Sequence, residues 1–394
     1  MPTFLKRLLV GLVVVVFAAV VFAFTMLPSV ADQRINAVYK YAPYSISVKA
    51  QEAHKQIPFI ADLHADSLLW KRDLLRLQIR GHVDVPRLVQ ARVALQVFSI
   101  VTKAPFGQNA EKTDPNTLDL ATAIAVFQGW PQATWGSLFH RALHQTKKLH
   151  KFAAKSDGLL TVIRNQRELK LYLQSRKIRP KVTAGLLAIE GAHALEGKLA
   201  NVDKLFKAGV RMIAATHFFD NRLCGSAHGI KKGGLTAFGK KVIKRMEKLK
   251  IIVDLAHVSP KGIEDTLAMV KRPVVVSHTG VKGTCNNMRN LSDRQIKMIA
   301  KNGGIIGLGL WEKAVCGTDA MATAKAMRYV ADLVGVKHVA LGSDFDGGIK
   351  APWDIRGLPF LVEAMTKLKF TPQDIAMIMG GNFLRILKQT LPEK

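Results

Sequence analysis

A chain of 394 residues, 48% of them hydrophobic, is long enough to bury a sizeable core, and its scattered Gly and Pro exclude a fibrous or disordered protein. Lys and Arg number 58 against 29 Asp and Glu, a formal charge of +29. Such a field favours anionic partners. With no zinc-finger, RNA-recognition or basic-zipper pattern, it argues against nucleic acid and for a basic shell suited to an anionic membrane surface.

The first segment stands apart from the fold. Leu8 to Leu27 is a run of twenty residues without a charge, preceded by Lys6 and Arg7. At ~1.5 Å rise per residue a helix of that length matches a hydrocarbon core of ~30 Å. The positive flank keeps the N-terminus in the cytoplasm and exports the rest. Residues 1–31 are thus expected to be a transmembrane anchor. The rival is a cleaved signal, because Ser29-Val30-Ala31 resembles a small-residue cleavage site. Residues 32–57 read as a polar, irregular linker, and residues 58–394 as one folded domain.

Within that domain, short β-branched apolar runs each end in polar residues, as parallel strands buried on both faces should. They are Phe59–Leu63 before His64, Val93–Ile100, Ala184–Ile189 before Glu190, and Met212–Ala215 before His217. Ile251–Leu255 before His257, Val274–Val276 before His278, Ile305–Leu310, and Val339–Leu341 before Asp344 complete the series. Amphipathic stretches such as Asn201–Ala208 and Asp293–Lys301 lie between them. Eight strands alternating with helices predict a TIM-like (β/α)₈ barrel. Residues 110–180 read as a helical insertion between the second and third strands, carrying Trp130 and Trp135. Lys240, Lys241, Lys244, Arg245 and Lys248 fall at helical spacing and read as a solvated face. Pro372–Leu387 is the last helix, with Thr371 as its N-cap. Three cysteines leave at least one unpaired, and without a C-x-x-C they do not make a zinc site of their own.

In such a barrel the C-terminal strand ends build the active site, so residues distant in sequence converge there. His64 and Asp66, two apart on an extended strand end, point the same way and can grip one metal ion; a solvated loop His–Asp pair is the rival reading. Glu190 ends a buried strand, where a lone carboxylate needs a partner. A bridge between two metals would supply one; a salt bridge to an Arg is the rival. A single strand histidine is usually a satisfied core residue, but His257 and His278 end consecutive strands. Imidazole with bridging carboxylate suits a two-zinc site, with Glu190 shared between the two ions. Water between the ions would ionise near neutral pH. His217 would steady the resulting oxyanion, and Asp344 would move the proton to the leaving amine. Arg289 would clamp a terminal carboxylate. Structural pairing is the rival reading of both Arg289 and His217.

Taken in order, the segments Asp62-Leu63-His64-Ala65-Asp66, His82-Val83-Asp84-Val85-Pro86, Ile189-Glu190-Gly191-Ala192-His193 and Thr216-His217 resemble the membrane dipeptidase (renal dipeptidase) family. So do His257-Val258-Ser259, Ser277-His278-Thr279-Gly280, Arg289-Asn290-Leu291-Ser292-Asp293, Asp344-Phe345-Asp346-Gly347 and Gly380-Gly381-Asn382-Phe383-Leu384-Arg385. The resemblance spans residues 58 to 387. It implies a binuclear zinc dipeptidase of the amidohydrolase-type barrels, acting on small dipeptides and admitting those with a C-terminal D-residue. It assigns the metal ligands to His64, Asp66, Glu190, His257 and His278, the substrate contacts to His217 and Arg289, and proton transfer to Asp344. It also implies a disulfide between Cys285 and Cys316, and it admits a homodimer. Ala65 stands where many relatives carry Asn or Cys, which bears on substrate preference. The tail from Leu387 is too short and polar for a C-terminal lipid-anchor signal, so the membrane partner is reached through the N-terminal helix.

A spanning helix does not depend on screened charge. The full-length protein should therefore fractionate with membranes and stay there through a high-salt wash. A mature N-terminus at Asp32, found by terminal sequencing, would show a cleaved signal instead.

Overall fold

Nine apolar segments form one parallel sheet in the computed structural model of this chain, which describes residues 3–107 and 111–394. They are β1 (Ile60–Ala65), β2 (Val93–Val101), β3 (Leu160–Val162), β4 (Thr183–Glu190), β5 (Val210–Ala214), β6 (Ile252–Asp254), β7 (Val275–Thr279), β8 (Ile305–Leu308) and β9 (Val339–Leu341). Eight run in the order β1-β2-β4-β5-β6-β7-β8-β9, and β3 pairs with β4 off that path. Every residue of those eight is buried. This is what their unbroken apolar character requires when helices cover one face and the barrel interior lies on the other. Alternate residues go to different cores. Leu186 and Ala188 join Leu95, Val97, Met212, Ile252 and Ile305 inside the barrel. Leu187 and Ile189 pack outward with helical residues such as Leu149, Val202 and Leu205.

The circle is closed by side chains more than by backbone. Between β1 and β9 a single bridge joins Ala65 to Phe345. The Asp62 carboxylate accepts from the Ser343 amide at 2.8 Å, the Ser343 hydroxyl at 2.7 Å and Gln96 Nε2 at 2.8 Å. Asp254 acts likewise between β6 and β7, accepting from the amides of Ser277 and Ala256, each at 2.9 Å. Both strand pairs therefore splay at the mouth, where the polar residues emerge.

The structure departs from the sequence reading in three places. The insertion is not purely helical. It holds β3 beside the helices Leu120–Phe127, Ala133–Gly136, Leu138–Ala154 and Gln166–Ile178. Three residues are too few for a periodic signal to register. Ala110, the first residue assigned to the insertion, lies outside the described residues. The stretch 32–57 is not irregular throughout. Helix α1 (Thr3–Thr25) is followed by α2 (Leu27–Ile35) and α3 (Val48–Lys55), the last capped by Ser47. The final helix is broken: Thr371 caps Pro372–Ala376 as expected, but the chain kinks at Gly380 before Asn382–Thr390. A Cβ at Gly380 would stand 2.3 Å from the Phe59 carbonyl oxygen, so only glycine lets this turn reach β1. The basic run on Ala237–Leu249 does form a solvated face, with Arg245 paired to Asp203.

One buried ionic network fixes the loop after β9. Asp346 accepts from Ser67 Oγ at 2.6 Å and the His82 amide at 2.7 Å, and it forms an ion pair with Arg72 at 2.9 Å. Its carbonyl accepts from Trp70 Nε1 at 2.7 Å. Arg72 also meets Asp32 of α2 at 3.2 Å. Burial alone would raise the Asp346 carboxyl, but Arg72 and His82 hold it well below the usual range. The folded state thus binds this proton less tightly than the unfolded state. The associated stability is full above an unfolded value near 3.8 and is lost as pH falls below it. Asp346→Asn leaves Arg72 underpaired in the interior and should cost about 3–5 kcal/mol. Its unfolding free energy should also lose part of the wild type's decline below pH 4. Denaturant titrations at several pH values measure both effects; a cost under ~1 kcal/mol would contradict this role.

Candidate metal centre and active site

Seven polar side chains are delivered to one point by strand ends. β1 supplies His64 and leads into Asp66, and β4 supplies Glu190. His217 and His257 each lie three residues beyond their strands, β5 and β6, and His278 lies within β7. Asp344 lies three residues beyond β9. His257 and Asp344 have φ of 63° and 62°, the left-handed region that costs a non-glycine residue energy. Such strain persists only where the surroundings impose it, and it gathers at functional sites. Ser259 caps the helix after His257, accepting from the Gly262 amide at 3.0 Å, which holds that turn.

One oxygen of Glu190, Oε1, lies 3.0 Å from His257 Nε2, 3.4 Å from His278 Nε2 and 3.6 Å from His64 Nε2. Its other oxygen is 3.6 Å from His217 Nε2. His64 Nε2 is also 3.5 Å from Asp66 and 3.8 Å from Asp344. The Nε2 atoms of His257 and His278 stand 2.9 Å apart. All five residues expected as metal ligands therefore converge, and Asp344 and His217 sit beside them.

The electrostatics are crowded. Burial opposes charge on His64, yet Glu190, Asp66 and Asp344 together hold its imidazolium up to about 10. Burial, reinforced by Asp66, pushes the Glu190 carboxyl well above its usual range. Burial pushes Asp344 up to about 8, with His64 opposing and Asp66 adding to the rise. Burial and neighbouring cationic groups keep His217, His257 and His278 well below the ordinary histidine value, hence neutral. Both ring nitrogens of His64, Oδ1 of Asp66 and Oε2 of Glu190 are buried with no hydrogen-bond partner among the described residues. Buried polar atoms are almost always satisfied. Orphaned nitrogen and oxygen atoms that converge at ligand distances fit one or more divalent cations.

Other side chains hold this set in place. His228 Nε2 lies 3.0 Å from His257 Nδ1, and Ser277 Oγ 3.0 Å from His278 Nδ1. Each contact orients an imidazole through its far nitrogen, as ligand histidines require. Arg289 donates to the His278 carbonyl at 2.7 Å and to Thr279 Oγ1 at 3.1 Å. Its loop is laced by Asn287 and Asn290, and by a disulfide between Cys285 and Cys316. Cys224 is a buried thiol.

A cavity of ≈ 250 Å³ opens onto the cluster. Asp66, Glu190, His217, His257, His278, Arg289 and Asp344 line it, and His64 stands behind them. Sequence reasoning missed Tyr39, His228, Trp311 and Lys350, which share the lining. Trp311 directly follows the run Ile305–Leu310 but bears no ligating group to mark it; the other three end no recognisable strand, and Tyr39 lies in a stretch read as a linker.

Comparison with known proteins agrees with this geometry. Residues 48–393 match the family model of membrane dipeptidase, peptidase family M19. The chain is 26% identical over 376 residues to an uncharacterized dipeptidase of Schizosaccharomyces pombe, covering 91% of this chain and 83% of that one. It is 27% identical over 349 residues to the dipeptidase aclJ of Aspergillus oryzae, covering 83% and 77%. In structure it is similar to the probable dipeptidase PvdM of Pseudomonas aeruginosa, with TM-score 0.72, 18% identity and coverage of 87% and 98%. It is also similar to a metallopeptidase of Rhodobacter sphaeroides crystallised with a phosphinate mimic of L-Ala-D-Ala, with TM-score 0.68, 22% identity and coverage of 84% and 99%. A family match across most of the chain, on a parallel barrel with its polar residues gathered at the strand ends, places this protein in the membrane dipeptidase family of metallopeptidases.

Proposed function

We propose that this chain is a membrane-anchored zinc dipeptidase, with residues 1–31 as the anchor and residues 58–394 as a catalytic unit outside the cytoplasm. The observation that carries the reading is Glu190, one oxygen of which lies within 3.6 Å of three imidazole nitrogens. His64 and Asp66 would hold one zinc ion, His257 and His278 a second, and Glu190 both. Such a pair supplies Lewis-acid polarisation and a lowered water pKa. The chain's own residues do the rest. Asp344, raised to about 8 by burial, is suited to hold a proton taken from water and to release it to the leaving amine. The neutral His217 imidazole donates to the oxyanion that develops at the scissile carbonyl.

Arg289 selects the substrate. Two of its five N–H groups are spent on the His278 carbonyl and Thr279. The others are left for the free carboxylate of a dipeptide, held in a pocket where a bidentate pair excludes longer peptides by chemistry as well as by size. A neutral lactone, which carries no carboxylate of its own, would have no use for that group.

Steady-state kinetics on a dipeptide and on its C-terminal amide test the assignment. Charge-assisted bonds are worth roughly 1.5–3 kcal/mol each. Losing two in Arg289→Ala should lower kcat/KM on the dipeptide by about two to four powers of ten. The amide, already poor for the wild type, should hardly change, and lysine should restore little because a point charge lacks the planar fork. Bound metal should be unaltered in the variant, and exhaustive chelation should silence the wild type. Equal slowing of both substrates would make Arg289 a structural residue; full turnover without metal would overturn the zinc reading.

A further inference from the structure

Residues 32–40 join the apolar helix to the barrel, ahead of the segment matched by the family at residue 48. They are built into the mouth of the barrel. Asp32, 1% exposed, meets Arg72 at 3.2 Å and Arg80 at 3.1 Å. Asn36 accepts from the Gly348 amide at 3.0 Å. Next, Val38 forms an isolated parallel bridge with Ala351, in the loop beyond Asp344. The Ala351 amide donates to the Ala37 carbonyl at 3.0 Å, the Tyr39 amide to Ala351 at 2.9 Å, and the Lys40 amide to Pro352 at 3.0 Å. His82 Nε2 reaches the Ala37 carbonyl at 3.1 Å from the other side.

This docking carries Tyr39 to the cavity that holds the carboxylate and imidazole cluster. Lys350 Nζ lies 3.9 Å from the centre of its ring, and both side chains line the cavity. A tyrosine 41% exposed, pinned by its own backbone and covered by a cation, presents a rigid aromatic surface to whatever enters. An irregular tether would place no side chain there, and the buried Asp32–Arg72 pair would gain nothing from being built.

We propose that the strap at residues 32–40 is a working part of the active site, in which Tyr39, stacked against Lys350, forms the outer wall of the substrate cavity and sets which dipeptide side chains it admits. The proposal rests on the dipeptidase reading. The strap is a specificity element and takes no part in bond breaking. It acts on substrate binding, and it is retained whether or not the chain is cut after Ala31.

The test uses the full-length protein with its metal. Wild type, Tyr39→Ala and Tyr39→Phe are compared on a panel of dipeptides that vary one side chain from small to bulky, with kcat and KM resolved separately and bound metal measured. Tyr39→Ala should raise KM by about three- to tenfold, the effect of one lost aromatic contact, and should flatten the differences across the panel. kcat and metal content should hold, and phenylalanine should restore the wild-type pattern. KM values unchanged in Tyr39→Ala, a uniform fall in kcat at constant KM, or a phenylalanine variant as poor as alanine would each overturn the proposal. A wild type that cleaves no dipeptide refutes the underlying dipeptidase reading instead, so the two failures are told apart.

Discussion

Glu190 ends a strand that is buried along its whole length, and its own carboxylate is 3% exposed. Around it stand four imidazoles and the carboxylates of Asp66 and Asp344. Like charges this close raise one another's proton affinity, and burial adds to the effect. A divalent cation inverts that logic, because it favours the ionised carboxylate and the neutral imidazole together. His217, His257 and His278 are already held neutral. Much of the mouth of the barrel is arranged so that this cluster can exist without collapsing into ordinary salt bridges.

The scaffold meets that demand by giving up backbone pairing where these side chains emerge. Asp62 and Asp254 replace ladder hydrogen bonds with side-chain ones at the two splayed junctions. The left-handed backbone at His257, Asp344 and Asp346 is the local cost. The Arg72–Asp346 pair, with His82 and Ser67, opposes relaxation of the most strained loop. Because Asp32 shares Arg72, the same network ties the segment that follows the apolar helix to the loop that carries Asp344.

The barrel and the polar cluster at its strand ends were legible because they follow period and position. Runs such as Ile251–Leu255 and Val274–Val276 are apolar on both faces and stop at a histidine, and a parallel strand buried on both sides cannot hide that pattern. Glu190 stood out as a carboxylate ending such a run. Long-range side-chain work was not legible. Asp62 reads as one more polar residue in a strand until Ser343, far along the chain, is seen against it. β3 is too short to signal itself, and the break at Gly380 depends on how close Phe59 comes. Tyr39 and His228 reach the site from segments with no periodicity, so only the folded chain brings them there.

The central claim is that these five side chains hold a pair of metal ions bridged by Glu190. Anomalous diffraction from crystals of the zinc-loaded protein, collected on both sides of the zinc edge, tests it directly. The account expects two peaks about 3.5–4 Å apart, one beside His64 and Asp66 and the other beside His257 and His278, with Glu190 between them. A single peak, or none within reach of Glu190, would contradict it.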